Sequence, residues 1–240
     1  MLSLTTNLTN YKSESPYLEK IQKIFIYYPV NFLTQDVVAH LVKCSSNTLR
    51  QLVANADLVR YADGSFRCVE LLGQFGNLVF LSLTFNTTAE LQQKVQGRNE
   101  GQAVIRDLVG GLKKLQTLYL FHCPSDKIVI RSESLERLHI YRSEFAAFEE
   151  LSAPELRSMM FQNHAREVIP AITSGESKRS RQTLLELIYD GCPKLAQLNN
   201  VSLPPLRSRE VGKGVWCRKT SQMCLETYKQ SISLMTLFEN

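Results

Sequence analysis

Apolar residues recur along the chain in a six-position pattern, L-x-x-L-x-L. It is read at Ile21, Ile24 and Ile26; at Leu49, Leu52 and Ala54; and at Leu78, Leu81 and Leu83. It continues at Leu115, Leu118 and Leu120; at Leu135, Leu138 and Ile140; at Leu156, Met159 and Phe161; and, more weakly, at Leu195, Leu198 and Asn200. The alternation within each copy predicts a short strand with one buried face. The copies begin at 21, 49, 78, 115, 135, 156 and 195, so the steps are 28, 29, 37, 20, 21 and 39 residues. Self-similarity at such steps marks a repeat architecture, and the two longest steps read as repeats with insertions.

Amphipathic stretches fill the longer gaps. Asp36–Val42, Phe66–Phe75, Val104–Leu112 and Leu184–Tyr189 carry apolar residues three and four apart, which predicts helices. Each runs through Gly, Asn, Cys, Pro or Lys into the next strand. The steps of 20 and 21 residues leave no room for a full helix, so those units should return through an extended or single-turn segment. One strand-plus-helix unit cannot bury its own apolar face, whereas stacked units share a continuous core and pair their strands in parallel. The expected fold is therefore α/β, a curved solenoid with short parallel strands on its concave face and helices and irregular segments on its convex face.

Leu78-Val79-Phe80-Leu81-Ser82-Leu83, Leu115 to Cys123, and Cys192-Pro193-Lys194-Leu195-Ala196-Gln197-Leu198 carry a resemblance. The chain resembles divergent leucine-rich repeat proteins of the ribonuclease-inhibitor-like class, and most of all the repeat region of F-box/leucine-rich repeat proteins. The resemblance spans about residues 17–206, read as some seven repeats with a polar insert at 173–182. Residues 1–16 read as a disordered N-terminal segment. Residues 207–240 read as a basic tail whose apolar series, Met223 to Phe238, could form a helix covering the solenoid end. No F-box is visible, because 17–57 already reads as repeats. The resemblance therefore implies an SCF-type ubiquitin ligase as partner only with an F-box upstream.

The third, fifth and seventh positions of each strand point away from the core. There the sequence places Phe25, Tyr27, Phe80, Tyr119, Phe121, Tyr141 and Met160, with Arg137 and His139 among them. Aromatic residues and arginine are the usual anchors of protein interfaces, so these nine form the expected partner-binding face. The same reading puts Gln197, Asn199 and Val201 on that face in the last unit.

The rest of the composition narrows the function. The chain has 240 residues, 44% hydrophobic and 21% charged, which suits a folded body and excludes a disordered one. No apolar run approaches the roughly 20 residues of a membrane helix. The net charge of +5 sits in the insert and tail, with Lys178, Arg179 and Arg181 in one and Arg207, Arg209, Lys213, Arg218, Lys219 and Lys229 in the other. A nucleic-acid binder would carry a basic stripe on its body, so neither nucleic acid nor membrane is expected as a partner.

Six widely spaced cysteines without a C-x-x-C, behind a polar N-terminus, read as free thiols of a cytoplasmic or nuclear protein. His40, His122, His139 and His164 have no metal-ligand spacing. No nucleophile elbow or phosphate loop occurs. Gly110-Gly111 reads as a helix end. The expectation is a non-enzymatic protein-interaction module without cofactor or metal, and within the ligase resemblance a substrate-recognition part. The alternatives are a ribonuclease-inhibitor-like scaffold or inhibitor, and an unrecognised hydrolase.

Overall fold

The computed structural model describes residues 2–3, 22–26, 35–56, 72–85, 109–122, 127–141, 147–162, 184–204 and 212–238. In chain order the elements are β1 (Leu2–Ser3), β2 (Lys23–Ile26), α1 (Gln35–Ser45), β3 (Gln51–Ala56), β4 (Phe80–Phe85), β5 (Thr117–Phe121), β6 (Lys127–Arg131), β7 (Arg137–Tyr141), β8 (Ala147–Ser152), β9 (Ser158–Gln162), α2 (Leu184–Gly191), β10 (Gln197–Leu198), β11 (Val201–Ser202) and α3 (Lys213–Phe238). Nine strands form an open, mostly parallel sheet in the order β1-β2-β3-β4-β5-β7-β9-β10-β11. The architecture is α/β, and the described strands do not close into a barrel.

The register follows the sequence pattern. Ile24, Leu52, Leu81, Leu118, Leu138, Met159 and Leu198 stand opposite one another on successive strands, and all are buried. The first positions, Leu49, Leu78, Leu115, Leu135, Leu156 and Leu195, join the same core. A one-residue slip would turn every one of these side chains to the other face, and the cost of exposing so many leucines holds the register.

The backbone repeats as well. The carbonyl at the second position of each copy accepts two N–H groups from the next copy. Gln22 takes those of Arg50 and Gln51, Arg50 those of Val79 and Phe80, and Val79 those of Gln116 and Thr117. Gln116, Glu136 and Arg157 continue the series with the pairs 136–137, 157–158 and 196–197, all at 2.8–3.1 Å. The turn into the strand also recurs. The amides of Leu78, Leu115, Leu156 and Leu195 donate to the carbonyls three residues earlier.

The two short steps return through β6 and β8, which pair in parallel as a second, two-stranded sheet. Ile128, Ile130, Phe148 and Leu151 from these strands belong to the same core as the main sheet. Register shifts by one residue between Ile128 and Val129, leaving Glu149 as the extra residue of a bulge. Helix α2 abuts β8 so closely that a Cβ at Gly191 would lie 1.7 Å from the Leu151 carbonyl oxygen. Only glycine fits there, and its own carbonyl accepts the Ala153 amide at 2.9 Å. Gly111, in the helical residues 109–111, meets the backbone of Gly73 in the same manner, at 2.9 Å from a Cβ position.

The last unit departs from expectation. The chain reverses at Asn199 and Asn200, whose φ angles are 48° and 65°, and β11 runs back antiparallel to β10. Two successive left-handed residues make a tight hairpin turn, and asparagine tolerates that region. Val201, expected on the outward row, is therefore buried. The Asn199 side chain clasps β9: its Oδ1 accepts the Phe161 amide at 2.7 Å, and its Nδ2 donates to the Phe161 carbonyl at 3.0 Å. One amide side chain thus replaces the strand that would otherwise continue the sheet.

Helix α3 lies against α2 and β11. Trp216, Thr220 and Cys224, spaced by one turn, are buried on it. Trp216 packs on Tyr189 at 5.6 Å and donates from Nε1 to the Pro204 carbonyl at 3.2 Å. The Thr220 hydroxyl is buried without a hydrogen-bond partner among the described residues. Lys213 joins α3 to α2 through Asp190 at 2.5 Å. At the other sheet edge, Leu2–Ser3 of the expected N-terminal segment pairs with β2. The remainder of 1–16, the insert 173–182 and most of the two central helical stretches lie outside the described residues.

Candidate functional site

Alternation places the third, fifth and seventh strand positions on the sheet face opposite the core. Because the strands are parallel and in register, like positions line up across them. Tyr119 faces His139, and Phe121 faces Tyr141. His139 in turn faces Met160. Phe80 lies one strand back, diagonal to Tyr119. These six side chains are half-buried, while Arg137 at the start of β7 is exposed.

The rings form a continuous stack. Tyr119 lies 4.3 Å from His139 with planes 18° apart, and Phe121 lies 5.0 Å from Tyr141 with planes 10° apart. Phe80 reaches Tyr119 at 5.5 Å. Along the strands, Tyr119 and Phe121 are separated by 6.4 Å and His139 and Tyr141 by 6.0 Å. Neighbouring parallel strands are about 4.8 Å apart, so their register alone sets these ring distances.

Polar atoms tie the stack at one end. The Tyr141 hydroxyl donates to Met160 Sδ at 2.9 Å and meets His139 Nδ1 at 3.2 Å. The phenol oxygen thus sits between a thioether, which only accepts, and an imidazole nitrogen, and both hold it in place. Burial holds the His139 pKa below the ordinary imidazole value, and Arg137 lowers it further. Burial, with Tyr119 beside it, raises that of the Tyr141 phenol. The histidine is accordingly neutral at pH 7 and acts as one more aromatic ring.

Of the nine residues expected to bind a partner, the fold unites Phe80, Tyr119, Phe121, His139, Tyr141 and Met160, with Arg137 at their margin. Phe25 occupies the same row on β2, but Val53 and Ser82 stand between it and Tyr119. Tyr27 lies outside the described residues. Ser82, Thr84 and Thr117 complete the face as small neighbours of the rings.

Elsewhere the side chains are put to structural use. Burial pushes the Cys192 thiol up to about 12 and the Cys224 thiol up to about 11, so neither is a thiolate nucleophile at neutral pH. Cys44 Sγ lies 3.9 Å from His40 Nε2 on α1. Among the described residues no three His, Cys, Asp or Glu side chains converge on a point, and no helix is long and apolar enough to cross a membrane. Arg131 and Glu150 make a bidentate ion pair across the second sheet at 2.6 and 2.7 Å, which holds the Glu150 carboxyl below its usual range.

No protein-family model matches the chain, and no curated protein or solved structure matches it. The class that fold and site define is an open parallel-sheet α/β protein with an aromatic stack on its outward face.

Proposed function

We propose that the chain is a non-enzymatic protein-interaction module that engages its partner through this outward face. The observation that carries the reading is the ring stack with Met160 against it, five half-buried rings and one thioether gathered from four consecutive strands of the sheet with a guanidinium at the edge. Rigid aromatic groups lose little entropy on binding and supply most of the energy of many interfaces.

A leucine-rich repeat solenoid is the architecture we infer around it. The six successive carbonyl junctions and the unbroken register of the leucines support it. Helices about 10 Å wide behind strands about 4.8 Å apart would bend the sheet towards its outward face. Where β6 and β8 stand behind β5, β7 and β9, the two spacings agree, and the sheet should flatten under the ring stack.

The test is affinity capture with mass spectrometry, comparing the wild type with Tyr119→Ala/Tyr141→Ala. Partners recovered by the first and lost by the second support the reading, and an unchanged partner set overturns it. The narrower assignment, substrate recruitment for a ubiquitin ligase, rests on the sequence resemblance. It requires a cullin-complex adaptor among the proteins captured with the full-length protein.

A further inference from the structure

Resting on that reading, we propose that the face selects an acidic peptide segment bearing aromatic side chains, because stacked ring edges lie there beside an exposed arginine and a phenol that have no hydrogen-bond partner among the described residues. The orientation of the rings comes first. Centroid distances of 4.3 and 5.0 Å with planes 18° and 10° apart mean that the rings stack face to face across the strands. They therefore stand on edge above the sheet. An aromatic edge carries positive potential and its face negative potential, and here Tyr119 with His139 and Phe121 with Tyr141 turn one face each towards the other. What the stack offers a ligand is the positive edge.

Charge points the same way. Lys23 and Arg137 are exposed on the outward positions of the described strands, and no carboxylate stands on those positions. At the strand starts Arg50 and Arg157 are exposed against a half-buried Glu136. Neither the Arg137 guanidinium nor the Tyr119 hydroxyl has a hydrogen-bond partner among the described residues, whereas the Tyr141 hydroxyl is already engaged. Both are donors. Carboxylates would pair with Arg137 and Tyr119, and a partner ring would set its face on the exposed ring edges. A cationic ligand would meet like charge at Arg137 and the positive edges of the rings. Nucleic-acid bases are disfavoured because they stack on ring faces, whereas this surface presents ring edges.

The test measures binding of four defined polymers by biolayer interferometry at physiological salt: a Glu–Tyr random copolymer, a Lys–Tyr random copolymer, polyglutamate, and single-stranded oligothymidylate. The Glu–Tyr copolymer should bind about tenfold or more tighter than the other three. Arg137→Glu and Tyr119→Ala should each weaken it about tenfold, with circular dichroism confirming the fold. Arg218→Glu/Lys219→Glu, which alters exposed cations of α3, should leave it unchanged. Equal or tighter binding of the Lys–Tyr copolymer, of polyglutamate or of the oligonucleotide overturns the proposal, as does indifference to Arg137→Glu or no binding at all. The capture experiment judges the interaction face separately, since it asks only whether any partner depends on the tyrosines.

Discussion

Two pairs of substitutions on the opposite faces of the same two strands separate packing from recognition. Leu118 and Leu138 are completely buried and face each other across β5 and β7. Truncating one buried leucine to alanine costs about 2–5 kcal/mol, and the pair, whose contact keeps the two losses from adding simply, costs about 4–10 kcal/mol to within a coupling of about 0.5–3 kcal/mol. That is comparable with the whole stability of a typical domain, about 5–15 kcal/mol. Leu118→Ala/Leu138→Ala should be largely unfolded or close to it.

Tyr119 and Tyr141 are half-buried on the opposite face. Tyr119 touches the rings of Phe80, Phe121 and His139, and Tyr141 those of Phe121 and His139. At about 0.5–1.5 kcal/mol for a good aromatic pair, and less for those beyond 6 Å, removing both tyrosines should cost about 2–4 kcal/mol. The stack thus contributes to stability, but the double variant should stay folded. Urea denaturation followed by circular dichroism supplies both numbers, and capture from the same preparations supplies the binding result. If the tyrosine pair lowers stability as much as the leucine pair, the outward face is itself part of a core and the assignment of faces fails.

Three further outcomes follow from the geometry. Gly191→Ala forces a Cβ onto the Leu151 carbonyl and should cost about 3 kcal/mol, whereas Gly110→Ala, with open space around it, should be neutral or stabilising by up to about 1 kcal/mol; thermal melts compare the two. Asn199→Ala removes both bonds to the Phe161 backbone and leaves alanine in a left-handed turn, for a loss of about 2–4 kcal/mol; amide hydrogen exchange at Phe161 should accelerate, and exchange as slow as in the wild type would refute the clasp. Because the folded pKa of His139 lies below its unfolded value, the unfolded chain takes up the proton first, and stability should fall as pH drops below about 6.5; urea midpoints should lose part of that slope in His139→Gln, and an identical slope would refute the neutral, half-buried imidazole.

The periodicity of leucines was sufficient to place the strands, their parallel pairing and their register. The reason is physical: with side chains alternating every residue, only one alignment buries Leu52, Leu81, Leu118, Leu138 and Met159 together. The aromatic row followed from that register, since the outward positions are whatever the leucines leave. The short steps between copies likewise forced an extended return. The reversal at Asn199 and Asn200 had a visible signal, a pair of residues suited to a left-handed turn, but the leucine pattern continuing through Leu198 masked it.

Tertiary structure decided what depends on neighbours distant in sequence. That β6 and β8 pair with each other, that Gly191 must be glycine because Leu151 presses on it, and that Asn199 closes the edge of β9 are matters of packing between units. So is the chemistry of the face. A sequence shows that Tyr119, Tyr141, His139 and Arg137 share a side of a sheet. Only the strand spacing turns the rings on edge, engages the Tyr141 hydroxyl with Met160 and His139, and leaves Tyr119 and Arg137 as donors with no partner among the described residues, because side-chain partners are set by distances across strands and not by separation along the chain.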